Sequence, residues 1–333
     1  MSPVQAEEIT RDMTCWVLTD GKAGDEVQCL GIAEALDLTP ERRHVAPRAP
    51  FSWAMPWGGI DPAEAPDKQG SPIGGPFPDL LIASGRRTVP YVRHVKKASG
   101  GKTFTVFLKD PRTGPGAADL IWVPEHDSLR ANNVIATLTS PHRVSAARIA
   151  AARSDPPAFL ASLPRPRVAV LAGGDSRHYQ FGEGDIIRFL SRLEGLVDQG
   201  ASLMMTASRR TPLALREGLA GLAARSGGYL WGGTGDNPYV SLLALADSVV
   251  VTLDSANMLS EAAATGRPLL VFTPSGGHPK FQTLLKGLEM CGIAQTFRGR
   301  LEGNAYLPLD TTEIIANAVV KALAVHRASL KAD

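Results

Sequence analysis

The segment LDSANMLSE, residues 253–261, combines residue types that could hold a nucleoside diphosphate. A Ser or Asp at its start can cap a helix, and the free amides and dipole of a helix N-terminus suit phosphate. Glu261 lies four residues after Asn257 and shares its helix face, where a carboxylate could accept two hydrogen bonds from a ribose diol. The alternative is a plain capped helix with a solvated Glu261. The residues expected to bind the nucleotide here are Asp254, Ser255, Ala256, Asn257 and Glu261.

Two other turns of the second half could also approach phosphate. The turn GGDSR begins with two glycines, whose backbone could approach a phosphate closely. The turn SRRTP has two guanidinium groups that could each bind two phosphate oxygens. A structural tight turn and a solvated arginine pair are the respective alternatives. The residues concerned are Gly173, Gly174, Ser208, Arg209, Arg210 and Thr211.

The first half carries an acidic and basic turn and a strongly basic segment. The turn DGKAGD, residues 20–25, sets two acids, a Lys and flexible Gly before a helix, although an ordinary polar connection is the alternative. Residues 86–112 hold eight Lys or Arg and one acid, directly after Ser84-Gly85. Such a segment suits an anionic acceptor or a membrane surface, unless it is only a solvated helix face.

Several function classes are disfavoured by what the chain lacks. There is no P-loop, no GxGxxG after the first strand, no GxSxG, and no HExxH, CxxC or DxD pattern, so no metal or dinucleotide cofactor is expected. A net charge of +2 argues against a nucleic-acid partner. Three Cys, an acidic N-terminus and the absence of a long apolar run predict a cytoplasmic protein, with the inner face of the membrane as the one peripheral location considered.

Short apolar runs that alternate with helical patterns must position these turns. Runs without clean alternation are typical of strands buried on both faces, so the sequence predicts an α/β fold with parallel sheets flanked by helices. We expect a first domain over 1–155, a linker over 156–166 and a second domain over 167–310. The helix within 311–333 is expected to cross back to the first domain.

A proline-rich stretch, residues 47–79, interrupts the alternation of apolar runs and helical patterns. It predicts a long surface insertion. It contains Trp53 and Trp57. One interpretation is that these rings pin the loop onto the core. The other is that they contact a lipid, a membrane surface or a partner, because Trp favours interfaces.

Six motifs, in this order, resemble the bacterial branch of the elongated-mitochondria mitochondrial fission protein family from about residue 14 to 300. That family looks like GT-B glycosyltransferases, in which two Rossmann-like domains with parallel sheets face each other across a cleft. The insertion 47–79 is not part of the resemblance. The motifs are WVLTDGKAGDEVQCLGIAEAL, IASGRRTVPYV, FLKDPR, VLAGGDSRHYQF, TASRRTP and VTLDSANMLSEAAATGRPLLVF.

The last motif is similar to the nucleotide-binding segment of the lipid-linked GlcNAc transferase of peptidoglycan synthesis. By that likeness, residues 255–257 fall at the diphosphate-binding helix start and Glu261 at the ribose-binding carboxylate. The turn DGKAGD stands in place of that enzyme's N-terminal Gly-rich loop but lacks its GGxGGH pattern and its catalytic His. Asp25 and Asp20 are the nearest substitutes for a general base.

The first hypothesis is therefore a metal-independent GT-B glycosyltransferase. It would use a nucleotide-sugar as substrate and an anionic or lipid-linked acceptor, with the diphosphate stabilised by helix amides and Arg. A non-catalytic adaptor or membrane-associated protein on the same fold is the alternative. A nucleotide-sugar epimerase is the third possibility, which the missing GxGxxG disfavours because such an enzyme would need a bound dinucleotide. The acceptor residues expected are Lys22, Gly24, Gln28, Ser84, Gly85, Arg86, Arg87, Lys109 and Arg112.

Overall fold

A computed structural model of the chain describes residues 9–10 and 12–331 and divides it into two compact units. The first unit runs to Arg143 and includes the chain from Thr311 on, and the second runs from Val144 to Asp310. No described helix has both the length and the apolar character that crossing a bilayer requires.

The first unit is built on six parallel strands in the order β2-β1-β3-β4-β5-β6. Its strands are β1 (Cys15–Thr19), β2 (Glu41–His44), β3 (Leu80–Ser84), β4 (Phe104–Leu108), β5 (Leu120–Pro124) and β6 (Val134–Thr137). Its helices are α1 (Ala23–Ala35), α2 (Phe51–Ala54), α3 (Val89–Ala98) and α11 (Thr311–Leu330). The strands β1, β3 and β4 are buried at every residue, which confirms the parallel sheet predicted from their unbroken apolar runs.

The second unit also holds six parallel strands, in the order β10-β9-β7-β11-β12-β14. Its strands are β7 (Arg167–Ala172), β8 (Tyr179–Gln180), β9 (Ser202–Ala207), β10 (Tyr229–Leu230), β11 (Ser248–Thr252), β12 (Leu269–Phe272), β13 (Ser275–Gly276) and β14 (Ala294–Thr296). Its helices are α4 (Ala146–Ser154), α5 (Ala158–Ala161), α6 (Glu183–Asp198), α7 (Leu213–Ser226), α8 (Tyr239–Leu245), α9 (Ala256–Ala263) and α10 (Pro279–Met290). The remaining strands, β8 and β13, form a separate two-stranded antiparallel ribbon.

Numbered within each unit, the strand orders are 2-1-3-4-5-6 and 3-2-1-4-5-6. Both orders are doubly wound, and each reverses direction at one point of the sheet. The reversal lies between β1 and β3 in the first unit and between β7 and β11 in the second. In such folds a ligand binds outside the carboxyl ends of the strands at that point, so each unit has one favoured crevice.

The boundary between the units lies earlier than the sequence suggested. Both α4 and α5 pack against α8, so residues 144–166 belong to the second unit. Arg153 on α4 donates a hydrogen bond of 2.8 Å to the carbonyl of Ala244 on α8. The Ala- and Arg-rich pattern of α4 indicates a helix but carries no information about which sheet that helix covers.

The last helix, α11, packs against α1 of the first unit. Its residues Ile315, Val319 and Leu323 are buried and recur every four positions, so they form one apolar face. The helix runs from Thr311 to Leu330, within the predicted range 311–333.

The insertion 47–79 differs from the prediction of a surface loop. It contains α2 and a 3-10 turn over Pro62–Glu64, and Met55 and Ile73 are fully buried in the first unit. Trp53 and Trp57 are 77% and 67% exposed, so the interpretation that they pin the loop is wrong. Met55 and Ile73 anchor the segment to the first unit, whereas both indoles face solvent.

Candidate functional site

The crevice of the second unit lies at the carboxyl ends of β7 and β11. A Gly-Gly turn follows β7, and the segment Leu253–Ser255 follows β11 and leads into α9. Two hydrogen bonds tie them together. The amide of Gly173 donates to Thr252 Oγ1 at 2.8 Å, and the amide of Gly174 donates to Asp254 Oδ2 at 2.8 Å.

Both glycines are required by the protein's own packing. A methyl group on Gly173 would overlap the Asp254 carboxylate, and one on Gly174 would overlap the backbone of Arg210. The turn is therefore wedged between the segments that follow β9 and β11. Its close backbone approach, predicted for a ligand, is already made to neighbouring protein atoms.

Asp254 has a fully buried carboxylate that organises this crevice. Besides the amide of Gly174, it accepts hydrogen bonds from Thr252 Oγ1 at 2.6 Å and from Arg210 Nη2 at 3.1 Å. Burial raises the pKa of this carboxyl, while Thr252, the Gly174 amide and Arg210 oppose that rise. Asp254 positions the turn, because its oxygens face inward onto protein donors.

The turn after β9 divides the roles of its two arginines. Arg210 is directed at the protein, donating from Nη1 to the carbonyls of Gly174 at 3.0 Å and Asp175 at 2.8 Å. Thr211 is buried and donates to the carbonyl of Gly173, and Ser208 Oγ accepts from the amide of Arg210 at 3.2 Å. Arg209 is exposed and forms no hydrogen bond or ion pair with any described residue. Of the two arginines, Arg209 is the one with its guanidinium available to a ligand.

The helix α9 begins at this crevice with a side-chain cap. Ser255 is extended and its Oγ accepts from the amide of Met258 at 3.4 Å, which leaves the capping role to Ser255 instead of Asp254. Ala256 and Asn257 form the first turn and are half-buried. The positive end of the α9 dipole therefore lies beside the Gly173-Gly174 turn.

Glu261 is the second carboxylate of the crevice and is not solvated, so the alternative of a solvated side chain is wrong. Tyr239 at the start of α8 donates its hydroxyl to Glu261 Oε2 at 2.5 Å. Burial raises the pKa of Glu261 to about 7, against the opposing effect of the Tyr239 hydrogen bond. The carboxylate thus already binds one hydroxyl, in the manner expected for a ribose hydroxyl.

Three basic side chains beside this crevice were not predicted from the sequence. Arg177 and His178 follow the Gly-Gly turn, and His278 precedes α10. The rings of His178 and His278 lie 4.2 Å apart between centroids. The available signal was the pair of motifs RHYQF and GGHPKF, each just after a Gly-rich turn.

The crevice of the first unit lies at the carboxyl ends of β1 and β3. Asp20 follows β1 and its carboxylate lies over Gly85, where an added Cβ would be only 2.8 Å from it. Lys22 Nζ donates to Asp20 Oδ2 at 2.9 Å. Asp20 Oδ1 is buried, and no described residue donates a hydrogen bond to it. An unused buried carboxylate oxygen carries a free-energy cost that a ligand hydroxyl could remove.

Asp25, on α1, forms an ion pair with Lys109, the residue that follows β4. Lys109 and Arg112 both have left-handed backbone, with φ of 81° and 61°, and the amide of Arg112 donates to Asp110 Oδ1 at 2.7 Å. Non-glycine residues in this region cost about 1 to 3 kcal/mol each and concentrate at functional sites. The ion pair means that Asp25 is not a free base in this arrangement.

The basic segment 86–112 does not form one wall. The helix α3 runs away from the carboxyl edge of the sheet, so its later lysines and Lys102 lie toward the amino edge, where Lys96 pairs with Asp119 at 2.5 Å. Four basic residues flank the crevice by topology: Arg86, Arg87, Lys109 and Arg112. Ser84 is buried and donates to the carbonyl of Leu108 at 3.2 Å, Gly24 lies within α1, and Gln28 is buried in that same helix.

Among residues 9–10 and 12–331, no three His, Cys, Asp or Glu side chains are grouped so that they could hold a metal ion. Three carboxylates of the two crevices, those of Asp20, Asp25 and Asp254, are instead paired with lysine or arginine.

Comparison with known proteins identifies relatives across most of the chain. The model of the family described as Mitochondrial fission ELM1 matches residues 23–323. The mitochondrial fission protein ELM1 of Arabidopsis thaliana is 27% identical over 281 residues, covering 76% of this chain and 66% of that protein. The uncharacterised protein RP120 of Rickettsia prowazekii (strain Madrid E) is 30% identical over 168 residues, covering 48% of this chain and 47% of that protein. The matched regions thus span from about half to just under two thirds of these relatives.

Solved structures show the same fold at low identity. A UDP-GlcNAc 2-epimerase from Neisseria meningitidis, solved with UDP-GlcNAc, is 12% identical with a TM-score of 0.52, covering 94% of this chain and 100% of that chain. The S. aureus protein MnaA, solved with UDP, is 12% identical with a TM-score of 0.51, covering 94% of this chain and 90% of that chain. These likenesses and the two parallel sheets establish a GT-B-like fold.

Proposed function

This chain belongs to the mitochondrial fission ELM1 family, and on that premise we propose that it is a metal-independent glycosyltransferase that binds a nucleotide-sugar in its second unit. The observation that carries the proposal is the crevice at β7 and β11. There the capped start of α9, a Gly-Gly turn held by Asp254 and the half-buried carboxylate of Glu261 on the same helix all occur together.

The α9 start supplies the features that a diphosphate needs. First-turn amides and the helix dipole attract negative charge, and Arg209 adds a guanidinium with no protein partner in the described part of the chain. Arg210 holds the turn and does not bind phosphate in this account, because its donors face Asp254 and two carbonyls. Positive groups fixed before the ligand arrives can stabilise a leaving diphosphate without reorganising.

Glu261 supplies the nucleoside end of the same site. Its carboxylate accepts the Tyr239 hydroxyl, and a carboxylate has lone pairs for further donors. A ribose with two adjacent hydroxyls would complete that set. The Neisseria and S. aureus proteins of the same fold were solved with UDP-GlcNAc and UDP, which makes a uridine diphosphate the first nucleotide to test.

We assign the acceptor to the crevice of the first unit. Transfer forms a bond from an acceptor oxygen to the anomeric carbon, breaks the bond from that carbon to the diphosphate, and moves the acceptor's hydroxyl proton to a base. Asp20 is the better base of the two predicted, because its Oδ1 is unused whereas Asp25 is paired with Lys109. Lys22 and Lys109 are paired with Asp20 and Asp25, so the positive charge that an anionic acceptor would meet comes from Arg86, Arg87 and Arg112.

A binding role at a membrane surface is the second candidate, and the two exposed indoles favour it. Trp53 and Trp57 stand on a segment anchored by Met55 and Ile73. Flotation with liposomes tests this role: the chain should float with vesicles, and the Trp53→Ala, Trp57→Ala double variant should float less. Unchanged flotation of the variant would discard it.

Thermal denaturation with UDP, GDP, CMP and their sugar conjugates tests the glycosyltransferase proposal. A ligand at 100 times its Kd adds about 2.7 kcal/mol to the free energy of unfolding. We expect at least one nucleotide to raise the melting temperature, and Glu261→Ala to abolish the shift. Glu217→Ala, an exposed change on α7, is the matched control and should keep it. A panel without any shift would contradict the proposal.

A further inference from the structure

The ribbon formed by β8 and β13 links the loops that follow β7 and β12. Tyr179 pairs with Gly276 and Gln180 with Ser275, and the amide of Gly277 donates to the carbonyl of His178 at 2.7 Å. In the sheet, β7 and β12 flank β11 on its two sides. The ribbon therefore crosses the carboxyl end of β11, the strand whose end leads into α9.

Two histidines meet on this ribbon. The rings of His178 and His278 are 4.2 Å apart between centroids and inclined by 53°. His178 Nε2 accepts from Arg177 Nε at 2.9 Å, and His278 Nδ1 accepts from the amide of Lys280 at 3.2 Å. A ring nitrogen that accepts a hydrogen bond carries no proton, so His178 Nε2 and His278 Nδ1 both act as acceptors in this arrangement.

The ribbon's basic side chains have no acidic partner in the described part of the chain. Within the part of the chain that the structure describes, no ion pair includes Arg177, His178 or His278. Glu183, at the start of α6, is exposed, and three other acids of the adjoining segments have their own partners. Asp175 accepts from the amide of Phe181, Asp185 from the amide of Ser275 and from Arg188, and Asp254 from Arg210.

Burial lowers the pKa of His178, and the neighbouring His278 and Arg177 lower it further. Proteins place like charges this close when an anion lies between them or when the groups stay neutral. An arriving anion would reverse the electrostatic part of that effect, because a negative charge favours the protonated ring.

Tyr179 lies on the same ribbon as the two histidines. It is fully buried; burial raises its pKa, while hydrogen bonding to the Gln282 side chain and the His278 backbone lowers it. Tyr179 lies next to His178 and pairs with the residue two before His278, so it belongs to the same patch.

We infer that this ribbon is a proton-linked clamp for the diphosphate of the nucleotide-sugar: on binding, the pair formed by His178 and His278 takes up a proton and compensates the phosphate charge together with Arg177. The inference rests on the proposed function and extends it by naming the groups that would neutralise the diphosphate in place of a metal ion. Binding should then tighten as the pH falls through the range where histidine titrates.

Titration calorimetry with UDP-GlcNAc as the probe tests the clamp. Its two phosphates are diesters and do not change protonation between pH 6 and pH 8. Heats measured in two buffers of different ionisation enthalpy give the number of protons taken up per ligand. The variant is His178→Gln with His278→Asn, because Gln can still accept from Arg177 and Asn can still cap α10. His94→Gln, on α3 of the first unit, is the matched control.

Glu261 changes its own protonation when it binds a ribose, but that change is common to all three proteins and cancels in the comparison. We expect the wild type to take up on the order of one proton more than the double variant, and its affinity to rise roughly fivefold more between pH 8 and pH 6. The His94→Gln protein should match the wild type.

Two results would overturn the inference in different ways. Equal proton uptake and equal pH dependence in wild type and double variant would remove the clamp while UDP-GlcNAc binding, and with it the proposed function, stands. A wild type that binds neither UDP-GlcNAc nor any other nucleotide-sugar of the panel at pH 6 or pH 8 would remove both.

Discussion

The two crevices occupy equivalent places in their sheets but use carboxylates in opposite ways. In the second unit, Asp254 has no exposed side-chain surface and is bound by an amide, a hydroxyl and Arg210. In the first unit, Asp20 is 4% exposed in its side chain, yet one oxygen has only the lysine Lys22 as partner and the other has none among the described residues. Lys22 itself is 66% exposed.

The difference separates a carboxylate that builds a site from one that can react in it. Asp254 is held by donors on three different segments, so its removal should cost stability. Asp20 is held by one exposed ammonium, so its removal should cost chemistry and little stability. Four substitutions test that contrast.

Gly174→Ala should have the largest effect. The new methyl group would overlap the backbone of Arg210, which cannot move without disrupting the turn after β9. We expect a loss of about 3 kcal/mol in the free energy of unfolding, measured by urea denaturation. Gly182→Ala is the control, because an added Cβ there meets only open space. A Gly174→Ala protein as stable as the control would show that the wedge is loose.

Asp20→Asn should leave stability within about 0.5 kcal/mol and reduce sugar transfer about 100-fold, because an amide cannot take the acceptor's proton. Both quantities are measured on one preparation, by urea denaturation and by release of the nucleoside diphosphate with acceptor present. A variant that keeps full transfer would move the base elsewhere, with Asp25 as the next residue to replace.

Asp254→Asn should show the reverse pattern. The Gly174 amide and Arg210 both donate to Oδ2, and Thr252 donates to Oδ1. An amide can accept at one atom only, so either Thr252 or the other two donors would face an NH2 group. The expected cost is about 2 kcal/mol in the free energy of unfolding. If Asp254→Asn and Asp20→Asn lost equal stability, the contrast between the two crevices would fail.

Glu261→Gln should produce the smallest change, and only at high pH. Burial raises the folded-state pKa to about 7, above its unfolded value, so the wild type is favoured most below the unfolded pKa and loses that advantage as pH rises through 7. Relative to Glu261→Gln, the wild type should lose on the order of 1 kcal/mol of unfolding free energy between pH 5 and pH 8. Parallel stability curves would mean that Glu261 titrates as an exposed carboxyl.

Much of the fold followed from the sequence because buried parallel strands carry an unbroken apolar run. β1, β3, β4 and β11 all show it. The strand β2, with the sequence ERRH, has no such run, since it lies at an edge with three of its four residues exposed. A parallel edge strand is specified by its neighbour's backbone and not by its own hydrophobicity.

The turns that form the site could be predicted from the sequence, but the directions in which their side chains point could not. The sequence gives Arg209 and Arg210 equal standing, and only the packing sends Arg210 back onto Gly174 and Asp175. Likewise, His178 and His278 lie a hundred residues apart and are joined by two-residue strands too short to show a pattern. The charge of segment 86–112 failed as a guide because α3 carries part of it to the opposite edge of the sheet.

The nucleotide site proposed at the β7 and β11 crevice can be located by photoaffinity labelling with an azido derivative of a uridine diphosphate sugar, because the label reports where the nucleotide lies. After irradiation and digestion, mass spectrometry should find the label on peptides from residues 173–182, 208–212 or 253–262, and unlabelled UDP should compete it away. Label that is confined to the first unit, or that UDP does not displace, would contradict a nucleotide site at the β7 and β11 crevice.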